Sequence, residues 1–432
     1  MGAETTFIVT GDAFMTRRLP EGGYKGFEEL KNVIMTHDVR FNNLEITVHN
    51  KEGYPAAFSG GTWAMASPKI LDDLQKFGFN LYNTANNHSC DYSHGGLIAT
   101  AKYLKERGLL FAGTGENLFE ASAAAYLETV NARVALIGAC SSFHDSDIAG
   151  NQSQSMQGRP GLNPLRYKTT FHVEKDYYDA LQNITHETDI NASWNLTVKN
   201  GYALAPPEGK LYFGGLSFEC SDENKTLTEP LKKDVDRITA SIKEARQQAD
   251  YVLVSIHTHE FSGDNIREPA EFIKEFCHNC IDAGADAVLG HGPHELRGIE
   301  IYKGKVIFYS LGNFIFQTET VGLQPADAYE NAMMPHNTMV SEYMNQRSKK
   351  GTSGYSVQPN IWSSIMAGFT AKDGKITEII LYPITLNMDF PRSRIGFPCL
   401  LHGNEVLEYL EKLSAPYGTK FVIKNGIATI KV

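Results

Sequence analysis

Phe7-Ile8-Val9-Thr10-Gly11-Asp12 is a short apolar run that stops abruptly at a glycine and a carboxylate. Such a run is typical of a buried strand that delivers its last residue to a cleft. Five further segments place a polar, metal-ligand type of side chain after an apolar run: Asn42-Asn43-Leu44-Glu45, Asn86-Asn87-His88-Ser89-Cys90-Asp91, His257-Thr258-His259-Glu260, Gly290-His291-Gly292-Pro293-His294-Glu295 and Leu311-Gly312-Asn313. Together they predict several strand ends that converge on one polar site.

Helical and strand-like patterns alternate between these segments. Helical spacing covers residues 68–77, 97–107, 229–248 and 268–283, and tight hairpins are predicted at residues 131–132, 303–304, 372–374 and 425–426. Alternation of this kind predicts an α/β protein with a largely parallel or mixed sheet. Cys277-His278-Asn279-Cys280 lies within the fourth helical stretch, so these residues are interpreted as ordinary helix residues.

The stretch at about 141–228 has a poor pattern and is rich in Ser, Asn, Gln, Gly and Pro. This composition predicts an insertion that lies over the site as a candidate lid. We therefore expect a domain at 1–320 that carries this insertion, followed by an extension at 321–432.

Charge and hydropathy narrow the classes of function. The formal net charge of -10 argues against non-specific nucleic-acid binding. No apolar stretch approaches the roughly 18 residues of a membrane span, and residues 1–6 carry no targeting signal. The expectation is a chain that is cytoplasmic as given, or a mature extracytoplasmic fragment without its anchor. Its expected partner is a small molecule or a peptide.

Asp12 and Glu45 are the candidate carboxylates of the site. Each follows an apolar strand pattern, and Glu is rarely buried unless it is paired. Carboxylates suit hard divalent ions and also act as acids and bases. An N-cap or turn role for Asp12, and a surface position for Glu45, are the alternatives.

Asn87 and His88 form the sharpest local signal, because two Asn, a His and Asp91 stand together between apolar runs. An Asn carbonyl can ligate a metal, and His88 can donate a proton to a reacting oxygen. Asp91 is expected to orient His88. The alternative is an Asx-rich turn that contains a histidine by chance.

Four histidines stand at two predicted strand ends. His257 and His259 alternate on an extended run and should point to one face, so Glu260 should face away. His291 and His294 bracket a Gly-Pro turn that can bring two imidazoles together. Neutral imidazole is a common ligand of zinc- and manganese-type ions.

Other polar residues near these segments carry weaker signals. Asn313 is expected to play a supporting or structural role. The arginines nearest in sequence are candidates for holding a carboxylate or phosphate: Arg17, Arg159, Arg166 and Arg297.

As a set, these motifs resemble the CapA (PgsA-type) poly-γ-glutamate capsule synthesis family from about residue 7 to residue 316. The set is Gly11-Asp12, Asn43-Leu44-Glu45, Asn86-Asn87-His88, Gly113-Thr114-Gly115, the His257 segment, Gly290-His291-Gly292-Pro293-His294 and Ser310-Leu311-Gly312-Asn313. That family is similar in fold to calcineurin-like metallophosphoesterases. The resemblance implies a four-layer αββα sandwich of two mixed sheets with its site at the strand ends. It also implies that 1–320 is the catalytic domain and that the extension at 321–432 completes the second sheet.

The resemblance also implies a ligand set for a divalent Mn, Zn or Fe ion: Asp12, Glu45, Asn87, His257, His291 and His294. The implied catalytic residues are His88, Asp12, Glu45 and His294. Phe14 stands where the phosphoesterases have a histidine ligand, and the closing histidine pair has one extra residue. A centre with two ions, one ion or none therefore remains open.

Three functions are compatible with the sequence. The first is a metal-assisted hydrolase of a phosphoester or a γ-glutamyl or peptide amide. The second is a metal-independent acid/base enzyme, such as a peptide epimerase that uses Asp12, Glu45, His88 and His294. The third is a non-catalytic accessory protein that binds polyglutamate.

Overall fold

The chain forms two mixed β-sheets that pack face to face, with helices on both outer faces. This arrangement appears in a computed structural model that describes residues 4–432. The first three residues of the predicted catalytic domain lie outside the described residues. The four layers confirm the predicted αββα sandwich.

The strands are, in chain order, β1 (Thr5–Phe14), β2 (Val39–Leu44), β3 (Thr47–Val48), β4 (Met65–Ala66), β5 (Leu81–Asn83), β6 (Leu110–Ala112), β7 (Thr114–Gly115), β8 (Ala125–Glu128), β9 (Arg133–Cys140), β10 (Gly161–Leu162), β11 (Tyr167–Val173), β12 (Lys210–Phe213), β13 (Leu216–Cys220), β14 (Lys225–Pro230), β15 (Tyr251–His257), β16 (Phe261–Ser262), β17 (Asn265–Pro269), β18 (Ala287–His291), β19 (Leu296–Tyr302), β20 (Lys305–Leu311), β21 (Asn313–Phe316), β22 (Ser363–Lys372), β23 (Lys375–Thr385), β24 (Cys399–Leu400), β25 (Val422–Lys424) and β26 (Ile427–Lys431).

The α-helices are α1 (Phe27–Met35), α2 (Lys69–Phe77), α3 (Ser93–Glu106), α4 (Leu118–Ser122), α5 (Lys175–Glu187), α6 (Ala192–Lys199), α7 (Lys232–Gln248), α8 (Glu271–Ala283), α9 (Ala326–Asn331), α10 (Val340–Arg347) and α11 (Glu405–Ser414).

The first sheet has ten strands, in the order β25-β26-β23-β22-β1-β2-β5-β6, with β21 beside β1 and β24 beside β23. Within it, β1, β2, β5 and β6 run parallel. The second sheet has six strands in the order β19-β20-β18-β15-β9-β8. Its central strands β9, β15, β18 and β20 also run parallel. The four predicted hairpins are confirmed as antiparallel pairs.

The main apolar core lies between the two sheets. Phe7 of the first sheet packs edge-on against Tyr251 of the second, with ring centroids 5.5 Å apart. The same ring stacks on Phe369 of β22 at 4.6 Å. Separate cores bury α1 and α2 on the outer face of the first sheet, and α7 and α8 on that of the second. Cys277 and Cys280 are buried there on α8, as expected of helix residues.

Parallel pairing brings the polar segments to one rim of the sandwich. Asp12 of β1 is in register with Asn43 of β2, and Asn43 with Asn83 of β5. In the second sheet, His257 at the end of β15 is in register with His291 at the end of β18. Because the carboxyl ends of parallel strands share one edge, polar side chains from both sheets meet there.

The stretch predicted as an insertion contains a small sheet of its own, in the order β12-β13-β11-β14. This sheet packs on α8, where the Thr228 hydroxyl donates to Glu271 at 3.2 Å. The contacts to the rim come from the beginning of the stretch, where the Ser142 hydroxyl accepts from the backbone N–H of His259 at 2.8 Å. The structure thus places the start of the stretch at the rim and its small sheet on α8.

The C-terminal strands β22 to β26 all join the ten-stranded sheet, through the antiparallel pairing of β22 with β1. The ten-stranded sheet contains β1 and is therefore the first sheet along the chain. The extension completes this sheet and not the second. The reason is that β22 pairs with the amino-terminal half of β1, on the edge opposite β2, while β21 pairs with the carboxyl-terminal end of the same edge. The division into two domains stays a prediction. Among residues 4–432 the structure contains no helix long and apolar enough to cross a membrane.

The packing between the sheets predicts a large effect of Phe7→Ala. Removing this fully buried ring should lower the free energy of unfolding by about 3–5 kcal/mol, because its contacts in both sheets are lost. Denaturant unfolding measures the change. Phe119→Ala is the control, because that ring is 82% exposed and its removal should change stability by no more than about 0.5 kcal/mol. Equal effects of the two substitutions would contradict the proposed core.

Candidate metal centre

Asp12 is fully buried near the end of β1. Its Oδ1 accepts a hydrogen bond from the Asn43 amide at 2.7 Å, and its Oδ2 accepts from the backbone N–H of Gly292 at 3.0 Å. Burial raises the pKa of Asp12 to about 7, although both hydrogen bonds act to lower it. Between Glu4 and Val432, no lysine or arginine forms an ion pair with this carboxylate.

Glu45 follows β2 directly and is also fully buried. Neither oxygen of its carboxylate has a hydrogen-bond partner among the described residues. The nearest ring nitrogens are His257 Nε2 at 3.6 Å and His294 Nε2 at 3.9 Å from Oε1. Burial, followed by the negative charge of Asp12, raises the pKa of Glu45 well above its ordinary value. An unpaired buried carboxylate is costly, so this group either keeps its proton or binds a cation.

His257 and His291 project side by side from β15 and β18. Their Nδ1 atoms lie 2.9 Å apart. Asp12 Oδ1 lies 3.7 Å from Nδ1 of His257 and 3.4 Å from Nδ1 of His291. These separations are close to the edge of a coordination tetrahedron, which is ~3.4 Å for ligands at about 2.0–2.1 Å from an ion.

Hydrogen bonds orient the rings of His291 and His294. Nε2 of His291 lies 2.7 Å from the Ser255 hydroxyl. Nδ1 of His294 lies 2.8 Å from Oδ1 of Asn313. Because the Asn313 amide nitrogen donates to two backbone carbonyls, its Oδ1 is the acceptor and His294 Nδ1 carries the proton. The lone pair of His294 Nε2 is therefore free on the side of Glu45.

The buried imidazoles are held neutral. Burial lowers the pKa of His291 to about 3 and that of His294 to about 4. Burial and then the neighbouring histidines, His291 first, lower the pKa of His257 well below its ordinary value. Neutral imidazole keeps the lone pair that metal ligation requires.

His259 belongs to the same cluster, although it was not among the predicted ligands. Its Nε2 lies 3.2 Å from Nε2 of His257. The alternation of His257 and His259 was the sequence signal, and the structure bears out its expected geometry. Glu260 turns away and accepts hydrogen bonds from the Ser141 and Thr258 hydroxyls at 2.6 and 2.8 Å.

His88 and Asp91 form a buried pair beside the cluster. Nδ1 of His88 lies 2.7 Å from Oδ2 of Asp91. Asp91 also accepts from the backbone N–H groups of Gly60 and Ala64 at 2.9 and 2.7 Å. The carboxylate is thus fixed, and Nε2 is the free ring nitrogen of His88. The edge of this ring packs on Phe14, with centroids 5.1 Å apart.

Asn87 presents a free amide oxygen. Its Nδ2 donates to the backbone carbonyl of Gly60 at 2.8 Å, whereas its buried Oδ1 has no partner in the described part of the chain. An amide oxygen left in this state suits a cation ligand. Its role as a ligand remains a prediction.

Three overlapping groups of side chains have ligand atoms within 4.8 Å of one another, as a bound ion requires. They are Asp12 with His257 and His291, Glu45 with His257 and His259, and Asp12 with Glu45 and His294. The structure thus brings together five of the six predicted ligands and adds His259. Asn43 orients Asp12. The segment that contains Asn43 stands out in the sequence, but the pattern assigned this residue no role.

The arginines predicted as anion binders are used elsewhere. Arg17 donates to backbone carbonyls near residue 395, and Arg166 pairs with Asp234. Arg159 donates to the carbonyl of Ile148 at 2.8 Å. Arg297 is buried and donates to the backbone carbonyls of Ile266 and Glu260. Arg297 therefore supports the loop that carries His259 instead of facing a ligand.

These features define a class of protein: an α/β sandwich with a buried centre of carboxylates and neutral imidazoles suited to a divalent cation. The chain belongs to the family described as bacterial capsule synthesis protein PGA_cap, which matches residues 6–318.

Three relatives show what the chain is similar to. The Uncharacterized protein y4sH of Sinorhizobium fredii is 32% identical over 99% of this chain and 93% of its own length. The Capsule biosynthesis protein CapA of Bacillus anthracis is 25% identical over 72% of this chain and 59% of its own length. The PGA biosynthesis protein CapA of Bacillus subtilis is 27% identical over 58% of this chain and 45% of its own length.

Among solved structures, TT1561 of Thermus thermophilus covers 72% of this chain and 90% of its own, at 8% identity and a TM-score of 0.29. This similarity is too low to support a conclusion.

The unpartnered carboxylate of Glu45 predicts that Glu45→Gln stabilises the metal-free protein. Above pH ~4.3 an unfolded Glu loses its proton, whereas the folded Glu45 carboxyl, with its raised pKa, retains it. The free energy of unfolding of the wild type therefore falls as the pH rises above ~4.3. Gln carries no such penalty, so the Tm advantage of the variant should grow from pH 5 to pH 8 in chelator-treated protein.

Asp234→Asn is the matched control for this comparison. Asp234 is equally buried, but Arg166 and Arg237 bind it and keep its pKa below the ordinary value. This substitution should lower Tm at pH 8. A Glu45→Gln protein less stable than wild type at pH 8 without metal would contradict the assignment of Glu45 as unpartnered.

Proposed function

We propose that this protein is a metal-assisted hydrolase that cleaves a γ-glutamyl or related amide bond. The observation that carries the proposal is the buried carboxylate of Glu45, whose two oxygens have no hydrogen-bond partner in residues 4–432. Neutral imidazoles surround it instead of cationic side chains. A divalent cation would compensate the charges of Glu45 and Asp12 together.

The donor set fits such an ion. The proposed ligands are Asp12, Glu45, Asn87, His257, His259, His291 and His294, drawn from the three overlapping groups and the free oxygen of Asn87. A mixture of imidazole and carboxylate without a cysteine favours Zn, Mn or Fe over Mg or Ca. When bound, the ion would supply a Lewis acid and lower the pKa of water at the site.

His88 is the proposed general acid. Asp91 holds Nδ1 of the ring, which leaves Nε2 free to deliver a proton to the leaving nitrogen. The edge-to-face contact with Phe14, with ring centroids 5.1 Å apart, also restrains the ring. Hydrogen bonds from Asn43 and Gly292 hold the Asp12 carboxylate in one orientation, so both groups are positioned before substrate binds.

The substrate class is proposed from the family. The family consists of bacterial capsule synthesis proteins, and two relatives are named for capsule or PGA biosynthesis. We infer that the substrate is a γ-linked glutamate chain, and we place a phosphoester second.

Removing ligands should remove the ion. Protein purified without chelator should contain stoichiometric Zn, Mn or Fe by elemental analysis, and Asp12→Asn and His291→Asn should each lose most of it. His278→Asn should keep wild-type metal, because that ring contacts Glu300 on the outer face of the second sheet. Full metal content in both ligand variants would contradict the proposed centre.

His88→Asn should separate chemistry from metal binding. The variant should keep its metal and lose roughly 10²–10⁴-fold in turnover of a γ-glutamyl amide, because general-acid catalysis is worth about that much. Mass spectrometry of the products in D₂O distinguishes cleavage from epimerisation. Deuterium at the α-carbon of an uncleaved peptide, formed by metal-free protein, would contradict hydrolysis and select an epimerase.

A further inference from the structure

Two segments that lie far apart in sequence form the rim above the centre: residues 60–63 and residues 324–355. Gly60 accepts from the Asn87 amide and donates to Asp91, so the loop that contains it is fixed to the site. Arg347, at the end of α10, donates to the carbonyl of the next residue, Gly61, at 3.1 Å. Gln324 ties the same two segments together by donating to the Trp63 carbonyl at 3.2 Å.

Tyr355 is the part of the C-terminal segment that reaches the centre. Its ring packs edge-on against His294 and Phe316, with centroids 5.8 and 5.0 Å away. Its backbone carbonyl accepts from the Trp362 indole at 2.8 Å, which fixes its position. The side chain of Tyr355 is half-buried.

The phenol interacts electrostatically with both Arg347 and Glu45. Burial raises the pKa of Tyr355, the positive charge of Arg347 acts against this shift, and the carboxylate of Glu45 adds to it. Both charged groups therefore act on the same hydroxyl. Arg347 is exposed and forms no ion pair with any carboxylate of residues 4–432.

We propose that Arg347 and Tyr355 form a binding subsite for a carboxylate of the substrate, at the mouth of the Asp12–Glu45 centre. The inference rests on the proposed function, because it names the group by which that site selects acidic substrates. A guanidinium and a phenolic O–H can donate together to one carboxylate.

The charge of the subsite favours a carboxylate over a phosphate ester. The subsite offers one positive charge and one neutral donor, which match a monoanion and leave a phosphate dianion uncompensated above two buried carboxylates. The subsite also lies outside residues 6–318, the part that matches the family. Selection of the acidic substrate would thus depend on a segment beyond the shared catalytic portion.

Binding measurements on chelator-treated protein test the subsite without turnover. The probe is a short γ-linked glutamate oligomer, and its fully amidated, neutral counterpart is the comparison ligand. Arg347→Gln should weaken binding of the acidic oligomer roughly 10-fold or more, because a charge-assisted hydrogen bond is lost. Tyr355→Phe keeps the ring contacts and should weaken it roughly 3- to 10-fold.

Lys349→Gln is the matched control, because it removes an exposed positive charge two residues away and should leave the affinity unchanged. Neither subsite variant should alter binding of the neutral oligomer. Wild-type affinity in Arg347→Gln, or equal losses for both oligomers, would overturn the subsite. Absence of oligomer binding by the wild type would overturn it as well.

Phenyl phosphate provides the remaining arm of the test. If it binds more tightly than the oligomer and loses affinity in Arg347→Gln, the subsite binds phosphate and the carboxylate assignment is wrong. Metal analysis and turnover are measured separately on untreated protein. A protein that binds the oligomer through Arg347 but cleaves nothing would keep the subsite and refute the hydrolase.

Discussion

The burial of two uncompensated carboxylates is the constraint on which the site depends. Asp12 and Glu45 are both fully buried, and the groups around them are imidazoles, an amide and a backbone N–H. Burial raises the pKa of each carboxyl and lowers that of the histidines. The same desolvation thus favours the protonated form of the two carboxyl groups and the neutral form of the histidine rings. A divalent cation would favour the ionised form of both carboxyl groups, and it would bind the lone pairs of the neutral rings. The cluster therefore suits a metal ion better than a salt bridge.

The two sheets hold this arrangement through register and close approach. β1 and β2 align Asp12 with Asn43, while β15 and β18 align His257 with His291. The sheets can bring these pairs together only where their backbones come very near. A Cβ at Gly11 would overlap the carbonyl oxygen of Gly312, so glycine is required directly before Asp12. The carboxylate then accepts from Gly292, which follows His291.

Much of the architecture follows from the alternation of apolar runs with polar strand ends. Periodicity predicts α7, α8 and the four hairpins because each is a local pattern, and the resemblance to the capsule family supplied the sandwich. The neighbours of Glu45 could not be predicted from the sequence, because they depend on the directions in which side chains point from both sheets. His259 carried a signal in its alternation with His257, whereas Asn43 stood in one of the polar segments without an assigned role. Proximity in sequence misdirected the choice of arginine, since Arg297 supports a loop and Arg347 lies at the rim.

The order of polar residues along the chain was enough to predict that carboxylates, amides and imidazoles would share one rim, because strand ends of parallel sheets have a common edge. The net charge of -10 also argues against non-specific nucleic-acid binding, and this stays a prediction. Only the three-dimensional structure revealed which buried polar atoms lack partners, and so singled out Glu45 and Asn87. Hydrogen-bond satisfaction depends on the positions of atoms tens to hundreds of residues apart, and no local pattern encodes those positions.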